Sequence, residues 1–347
     1  MRAILYEDQG KVAFGEYPDP HVQEAGDAVV RVSTAAICGS DLHVIEGRLP
    51  GVRPGSVLGH EYTGEVVETG SDVRRFKNGD RVVGSFPIVC GACWYCKRDE
   101  GTNCEDLRVL GYGMFVGDLD GAQAEYVRVP NADSNLHAID PVLSDEQAIF
   151  AGDIMSTGLY IAEKSKIRPG DTVAVIGAGP VGLFATMFAL TYEPSAVYTV
   201  DLEASRLKFA EQAGAIPVDA SKVNPVVEIQ RVTNDRGADV VIECVGFAKT
   251  FQMALDAVRA GGTVGVIGVH TDLEVPFPLG EVWRRNITIV MGGSANVQGV
   301  WTRALDGVRE GRLDPTVIIT HTLPLDEGVR GYEMFRNHEA LKVILKP

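Results

Sequence analysis

Val173-Ala174-Val175-Ile176-Gly177-Ala178-Gly179-Pro180-Val181-Gly182 decides the fold. Four apolar strand formers run into G-x-G-x-x-G, and the uncharged stretch beyond it to Tyr192 reads as a helix stopped by Pro194. In that strand–turn–helix context Gly177 permits the tight turn and Gly179 lets the backbone approach a pyrophosphate. Gly182 lets helix and strand pack closely, with Pro180 and Val181 opening the helix. The free N–H groups of a helix N-terminus then face the phosphates. A turn that serves packing alone is the competing reading. Asp201, nineteen residues after Gly182, favours the nucleotide. At the end of the next strand a carboxylate accepts the ribose hydroxyls of NAD and repels the 2′-phosphate of NADP. A cap for the helix that follows is the alternative for Asp201, and Arg206 is the nearby cation that could hold a 2′-phosphate.

Working outward, the same rhythm repeats. Val197–Val200, Ile216–Val218, Val240–Val245, Thr263–Ile267 and Ile287–Val290 read as further strands, the third of these enclosing Cys244 as a packed residue. Helices are expected over Val181–Tyr192, Ser205–Ala213, Asn224–Val232 (with Asn224 as cap and Pro225 in the first turn) and Thr250–Val258. Six nearly continuous apolar strands separated by helices describe a doubly wound parallel sheet covered on both faces. Upstream, short strands such as Ala28–Val32 and Gly64–Glu68, punctuated by Gly and Pro every 8–12 residues, suit a β-rich, barrel-like domain. After about residue 293 come a helix near Val300–Glu310, a strand near Thr316–Ile319, a helix near Asp326–Phe335 and a strand at Lys342–Leu345. This tail is expected to return to the first domain.

The chain has 347 residues with 32 Lys+Arg against 47 Asp+Glu, a formal net charge of −15. That balance repels nucleic acid and anionic membrane surfaces, and no basic cluster overrides it. The opening segment Met1–Phe14 is charged throughout and has no apolar core for a signal peptide, so a cytoplasmic location is expected. The uncharged run Thr172–Tyr192 has Gly177, Gly179, Pro180 and Gly182 in its middle, which suits strand–turn–helix and not a membrane span.

Four of the six cysteines fall within fifteen residues: Cys90, Cys93, Cys96 and Cys104, spaced C-x2-C-x2-C-x7-C. In a cytoplasmic chain such crowding points to metal, and four thiolates enclose one tetrahedral Zn²⁺ with no open position, a structural site. An iron–sulfur cluster competes, although the ferredoxin run ends x3-C-P. Four unligated thiols are the remaining reading. Cys38 in Cys38-Gly39-Ser40-Asp41-Leu42-His43 and His60 in Gly59-His60-Glu61 are dispersed fragments, neither of which alone implies a metal.

Taken in order, these markers, with Asp153 in Ala151-Gly152-Asp153-Ile154-Met155-Ser156-Thr157-Gly158, resemble the zinc-dependent medium-chain alcohol dehydrogenases over essentially the whole chain. The resemblance implies an α/β protein: a β-rich chaperonin-10-like catalytic domain of residues 1–155 and 294–347, with a structural zinc lobe at 86–110, plus a doubly wound Rossmann coenzyme domain of residues 156–293. It implies two zincs per chain, one held by the four-cysteine lobe and one catalytic zinc held by Cys38, His60 and a third ligand. Many members use cysteine there; this chain offers Asp153, for which a helix N-cap is the alternative. Glu61 is similar to the family's second carboxylate, and Asp41 to a residue that orients the metal-bound histidine. The family's proton relay maps onto Ser40 and His43. Phe86 matches a pocket position, with Ser40, Leu49 and Met291 as further pocket candidates and Val269 as a coenzyme or pocket residue. Lys342 resembles a basic residue that reaches the pyrophosphate, a surface lysine being the alternative.

The activity so implied is reversible hydride transfer between an alcohol, above all a secondary alcohol or diol, and NAD, giving a ketone or aldehyde. Polyol, threonine and formaldehyde dehydrogenases of the same family stay open, as does a nucleotide-sensing protein that has lost the chemistry. The partners implied are a small alcohol or carbonyl and further copies of the chain, as a homotetramer or homodimer.

Overall fold

The computed structural model describes residues 1–49, 51–113, 117–271 and 274–347. It divides the chain into two compact units, Met1–Ser156 with Asn296–Pro347, and Thr157–Ala295.

In the second unit, among the described residues, six parallel strands lie in the order Ile216–Asp219, Ala196–Asp201, Thr172–Ile176, Ala238–Glu243, Val258–Val266, Thr288–Met291. Numbered along the chain this is 3-2-1-4-5-6, the doubly wound dinucleotide-binding order. Thr172–Ile176 is buried at every position because both faces are covered, which is why its sequence shows no alternation. Helix Pro225–Val232 is capped as read: the Asn224 side chain accepts from the N–H groups of Val226 and Val227. The fourth strand ends at Glu243, one residue short of Cys244, because the Glu243 carboxylate turns back to accept from Val245 and Gly246 N–H.

In the first unit Ala28–Ile37 pairs antiparallel with Glu61–Thr69 and with Tyr126–Val129. The sheet continues through Arg81–Gly84 to Leu136–Ala138 on one side and through Val343–Lys346 to His321–Pro324 on the other. The C-terminal strand thus returns to the N-terminal sheet. The segment expected as a strand at Thr316–Ile319 is instead a 3₁₀ turn, Pro315–Ile318. Asp314 caps it by accepting from Thr316 N–H, and Pro315 occupies the first position, where no donor is needed. The strand forms three residues later. Tyr62, Ile4, Ile37, Ile45, Leu58 and Leu136 fill the core of this unit. Among the described residues no helix is long and apolar enough to cross a membrane.

Candidate functional site

Register brings the first metal cluster together. Ala36 opposes Glu61 across the antiparallel pair, so Cys38 and His60, just past the ends of their strands, are neighbours. Cys38 keeps an extended backbone as the residue before helix Gly39–Ile45, and Asp41 caps that turn by accepting from Cys38 N–H at 3.0 Å. Asp153 arrives from the 3₁₀ turn Ile149–Gly152, whose Gly152 packs so closely on the sheet that a Cβ there would lie 2.1 Å from Gly84 O.

The sulfur of Cys38 lies 3.6 Å from Asp153 Oδ2, and His60 Nε2 lies 3.2 Å from the same oxygen. Zinc–ligand lengths of about 2.0–2.3 Å at tetrahedral angles put S···O near ~3.6 Å and N···O near ~3.4 Å. The donors fit that metal. Glu61 completes the group, with one ligand atom of each of the four residues within 4.8 Å of the others and all four residues buried. Glu61 Oε2 is buried with no hydrogen-bond partner, as a carboxylate oxygen available to a cation would be.

The electrostatics agree. Burial, with the charges of Asp153 and Glu61, pushes the Cys38 thiol up to about 11. Burial opposes charge on His60, but the Asp41 carboxylate, helped by Asp153, outweighs it and lifts the imidazole well above its ordinary value. Burial also works to raise Asp153, and the hydrogen bond from His60 overcomes it and leaves the carboxyl low. Glu61 is pushed up to about 7 by burial, against the pull of Lys342. Sulfur and carboxylates so converged demand a positive charge, from a proton or from a metal.

Lys342 is not the surface lysine of the alternative reading: it is fully buried, and Nζ donates to Glu61 Oε1 at 2.6 Å and to Ile37 O at 2.9 Å. Desolvation would strip its proton, but the Glu61 charge holds it on. Lys342→Ala leaves Glu61 buried without a counter-charge, which is expected to cost about 3–5 kcal/mol, read as a lowered denaturant midpoint. Glu61→Gln with Lys342→Met should recover most of that loss.

Around the metal cluster, Ser40 Oγ donates to Cys38 Sγ at 3.2 Å and lies 3.3 Å from His60 Nε2. The His60 ring meets Phe86 and Tyr112 edge-on at 6.0 and 5.4 Å. Tyr112 was not legible as a site residue, because a lone tyrosine in a glycine-rich loop carries no spacing signal. His43 sits in the last turn of its helix, half-buried, with Nδ1 buried and unpaired. Burial, then the charge of Arg48, lowers its pKa. Leu49 packs on the core of this unit. Met291 stands exposed at the end of its strand, and Val269 is exposed in the loop after strand Val258–Val266.

The second cluster holds Cys90, Cys93, Cys96 and Cys104, all free thiols, with the four sulfurs within 4.8 Å of one another. Cys90–Cys96 and Cys93–Cys96 sulfurs are 3.9 and 3.5 Å apart. Tetrahedral Zn–S bonds of about 2.3 Å require ~3.8 Å. Backbone N–H groups of Cys93 and Ala92 donate to Cys90 Sγ, and that of Cys90 to Cys104 Sγ, as thiolates require.

The glycine turn divides its labour as read. Gly177 has φ +100°, and a Cβ there would lie 2.7 Å from Val245. At Gly182 a Cβ would fall 1.8 Å from Gly177 O, so packing forbids a side chain. At Gly179 a Cβ would meet no protein atom within 4 Å, so packing does not demand glycine there. Asp201 Oδ2 accepts from Ala178 N–H at 2.6 Å and Oδ1 from Glu203 N–H at 2.8 Å, so it braces both this turn and the next helix. Arg206, half-buried, follows in that helix.

Residues 24–140 match the alcohol dehydrogenase GroES-like domain and residues 180–309 the zinc-binding dehydrogenase domain. Zinc-type alcohol dehydrogenase B of Aspergillus flavus is 38% identical over 100% of this chain and 81% of its own length. Alcohol dehydrogenase TADH from Thermus sp. ATN1 superposes with a TM-score of 0.95 at 46% identity, covering 100% of this chain and 99% of that one. A zinc-binding dehydrogenase from Sinorhizobium meliloti 1021, bound to NADP, superposes with a TM-score of 0.86 at 30% identity over 100% and 99%. With both zinc-fitting clusters, the glycine turn and the 3-2-1-4-5-6 sheet in one chain, the protein belongs to the zinc-dependent medium-chain alcohol dehydrogenases.

Proposed function

We propose that the chain catalyses reversible oxidation of a secondary alcohol or diol by NAD, with Cys38, His60 and Asp153 holding a catalytic zinc and Cys90, Cys93, Cys96 and Cys104 a structural one. The observation that carries this is the triangle of Cys38 Sγ, His60 Nε2 and Asp153 Oδ2 at tetrahedral zinc spacing in a buried site. Residues 1–156 with 296–347 would form the catalytic domain and residues 157–295 the coenzyme domain.

When bound, zinc would act as a Lewis acid on the substrate oxygen and lower the pKa of a bound hydroxyl. The chain's own groups do the rest. Asp41 Oδ1, 3.1 Å from His60 Nδ1, keeps Nε2 pointed at the metal position. Ser40 Oγ, 3.2 Å from Cys38 Sγ and 3.3 Å from His60 Nε2, would take the hydroxyl proton. His43, whose lowered pKa keeps the imidazole neutral at pH 7, suits the terminal base. Phe86 and Tyr112 present apolar ring surface beside His60 and favour an alcohol with carbon on both sides of the reacting centre. Gly177, Gly179, Pro180, Val181 and Gly182 would receive the pyrophosphate, Asp201 the ribose, and Arg206 and Val269 would border the coenzyme.

Two zincs per chain by elemental analysis, and NADH formation across a panel of primary alcohols, secondary alcohols, diols, polyols, threonine and formaldehyde, test this reading. Turnover confined to formaldehyde or threonine would overturn the substrate class. Asp201→Gly with Leu202→Arg should shift the NAD/NADP ratio of kcat/KM toward NADP by about ten- to a hundredfold, the worth of one or two charge-assisted hydrogen bonds. KM for NAD should rise as well, because Ala178 N–H loses its acceptor. An unmoved ratio would remove Asp201 from the ribose site. The family resemblance extends the proposal to a cytoplasmic homotetramer or homodimer, which sedimentation of the purified protein decides.

A further inference from the structure

Asp41 is not the end of the support behind His60. Its Oδ2 accepts from Cys38 N–H at 3.0 Å and Gln123 Nε2 at 3.2 Å, and the Tyr332 hydroxyl lies 3.1 Å away. Its Oδ1 is left facing His60 Nδ1 at 3.1 Å. Gln123 also donates from Nε2 to Ala36 O at 3.1 Å, and its Oε1 accepts from the Tyr332 hydroxyl at 2.7 Å. His60, Asp41, Gln123 and Tyr332 are each no more than 2% exposed.

We propose that Gln123 and Tyr332 are positioning residues for the metal-binding imidazole, acting on His60 through Asp41. The proposal rests on the reading of Cys38, His60 and Asp153 as the catalytic zinc set.

Chemistry fixes the orientation of the Gln123 amide. Nε2 of Gln123 faces a carbonyl and a carboxylate, so it must be the amide nitrogen, and the single Tyr332 proton lies between Gln123 Oε1, the shorter contact, and Asp41 Oδ2. A carboxylate oxygen held by the Cys38 N–H and the Gln123 amide, with the Tyr332 hydroxyl beside it, resists rotation about Cβ–Cγ, so the other oxygen stays within 3.1 Å of His60 Nδ1. That charge behind Nδ1 favours the ring orientation in which Nε2 lies 3.2 Å from Asp153 Oδ2. The motif glycine before His60 belongs to the same device. Gly59 has φ +87°, and a Cβ there would lie 2.3 Å from Gln123 Cγ. The space is reserved for the glutamine. The hydroxyl arrives from helix Gly328–Arg336, in the C-terminal tail 291 residues from Asp41.

The alternative is that the network merely fastens that tail helix to the sheet. Tyr332→Phe and Gln123→Met keep the packing volume and remove the hydrogen bonds. In the zinc-loaded full-length protein, release of zinc to a chromogenic chelator should show one slow phase per site. In both variants the catalytic phase should accelerate about ten- to a hundredfold, as loss of outer partners of a metal histidine does. The four-cysteine phase should keep its rate, and cobalt substituted at the catalytic site should show a shifted visible band. Wild-type release rates and an unshifted cobalt band in both variants would overturn the proposal, however far the melting temperature moves. A Tyr332→Phe chain too unstable to purify leaves Gln123→Met to decide on the same readouts. Cys38→Ala serves as the reference: its loss of the accelerated phase assigns that phase to Cys38 and His60, whereas two retained zincs would overturn the site assignment itself.

Discussion

Cys38→Ala is expected to bind one zinc where the wild-type chain binds two, and to lose about three or more powers of ten in kcat/KM. The site has three well-placed donors, and Cys38 supplies the only sulfur among them. Without it, His60 and Asp153 are left as two ligands, and Glu61 Oε2 is the nearest further donor in the group. Lewis-acid stabilisation of the developing charge on the substrate oxygen amounts to several kcal/mol, and each 1.36 kcal/mol is tenfold in rate, which sets the magnitude at about a thousandfold or more. Coenzyme binding should be spared, since the glycine turn and Asp201 belong to the other unit. Elemental analysis, kcat/KM on the best alcohol of the panel, and NADH titration by fluorescence check the three parts separately. Full turnover from a chain with two zincs would remove Cys38 from the catalytic set.

Cys93→Ser should do the reverse: it should unmake the lobe while sparing the chemistry. In the metal-free lobe the thiols differ widely. Hydrogen bonds from the backbone of Cys96 and Glu105 lower Cys93 to about 6, and burial beside the other thiols raises Cys96 to about 12. A shared cation levels such a set by replacing protons, and a serine hydroxyl, which does not ionise near neutrality, cannot join it. Loss of a structural metal belongs with the largest single-residue effects, about 4 kcal/mol or more. At about 2–4 °C per kcal/mol for a domain of this size, the melting temperature should fall by about 8–16 °C. Calorimetry with zinc analysis on the same sample reads the effect, and turnover per catalytic zinc at 25 °C should stay within about twofold. A variant that lost turnover but kept its melting temperature would make the lobe catalytic and not structural.

The two clusters also differ in how they could be found. Cys90, Cys93, Cys96 and Cys104 lie within fifteen residues, so the lobe closes over a short loop and its spacing is visible in the chain. The glycine turn is legible for a similar reason. Its roles depend on local geometry: a positive φ at Gly177, a clash at Gly182 and open space at Gly179. The six strands of the second unit are legible because burial on both faces demands unbroken apolar runs, and the 3-2-1-4-5-6 order follows from short right-handed crossovers. The strand misplaced at Thr316–Ile319 shows the limit of that signal. Four apolar or β-branched residues suit a strand, but Asp314 and Pro315 start a 3₁₀ turn that overrides them.

What the amino-acid sequence by itself determined was the parallel coenzyme fold, the four-cysteine lobe and, through the resemblance, the residues of the catalytic cluster. Only the tertiary structure decided what surrounds that cluster. Lys342 is paired with Glu61 across 281 residues, and Tyr332 reaches Asp41 across 291. Single polar residues carry no period, and their partners are set by strand register and by where the C-terminal tail docks on the N-terminal sheet. In the sequence Gln123 and Tyr332 read as an ordinary glutamine and tyrosine, and Lys342 only as a basic residue for the pyrophosphate or a surface lysine. Burial gives each its meaning, because a charge or a hydrogen-bonding group removed from water must find a partner wherever the fold has placed one.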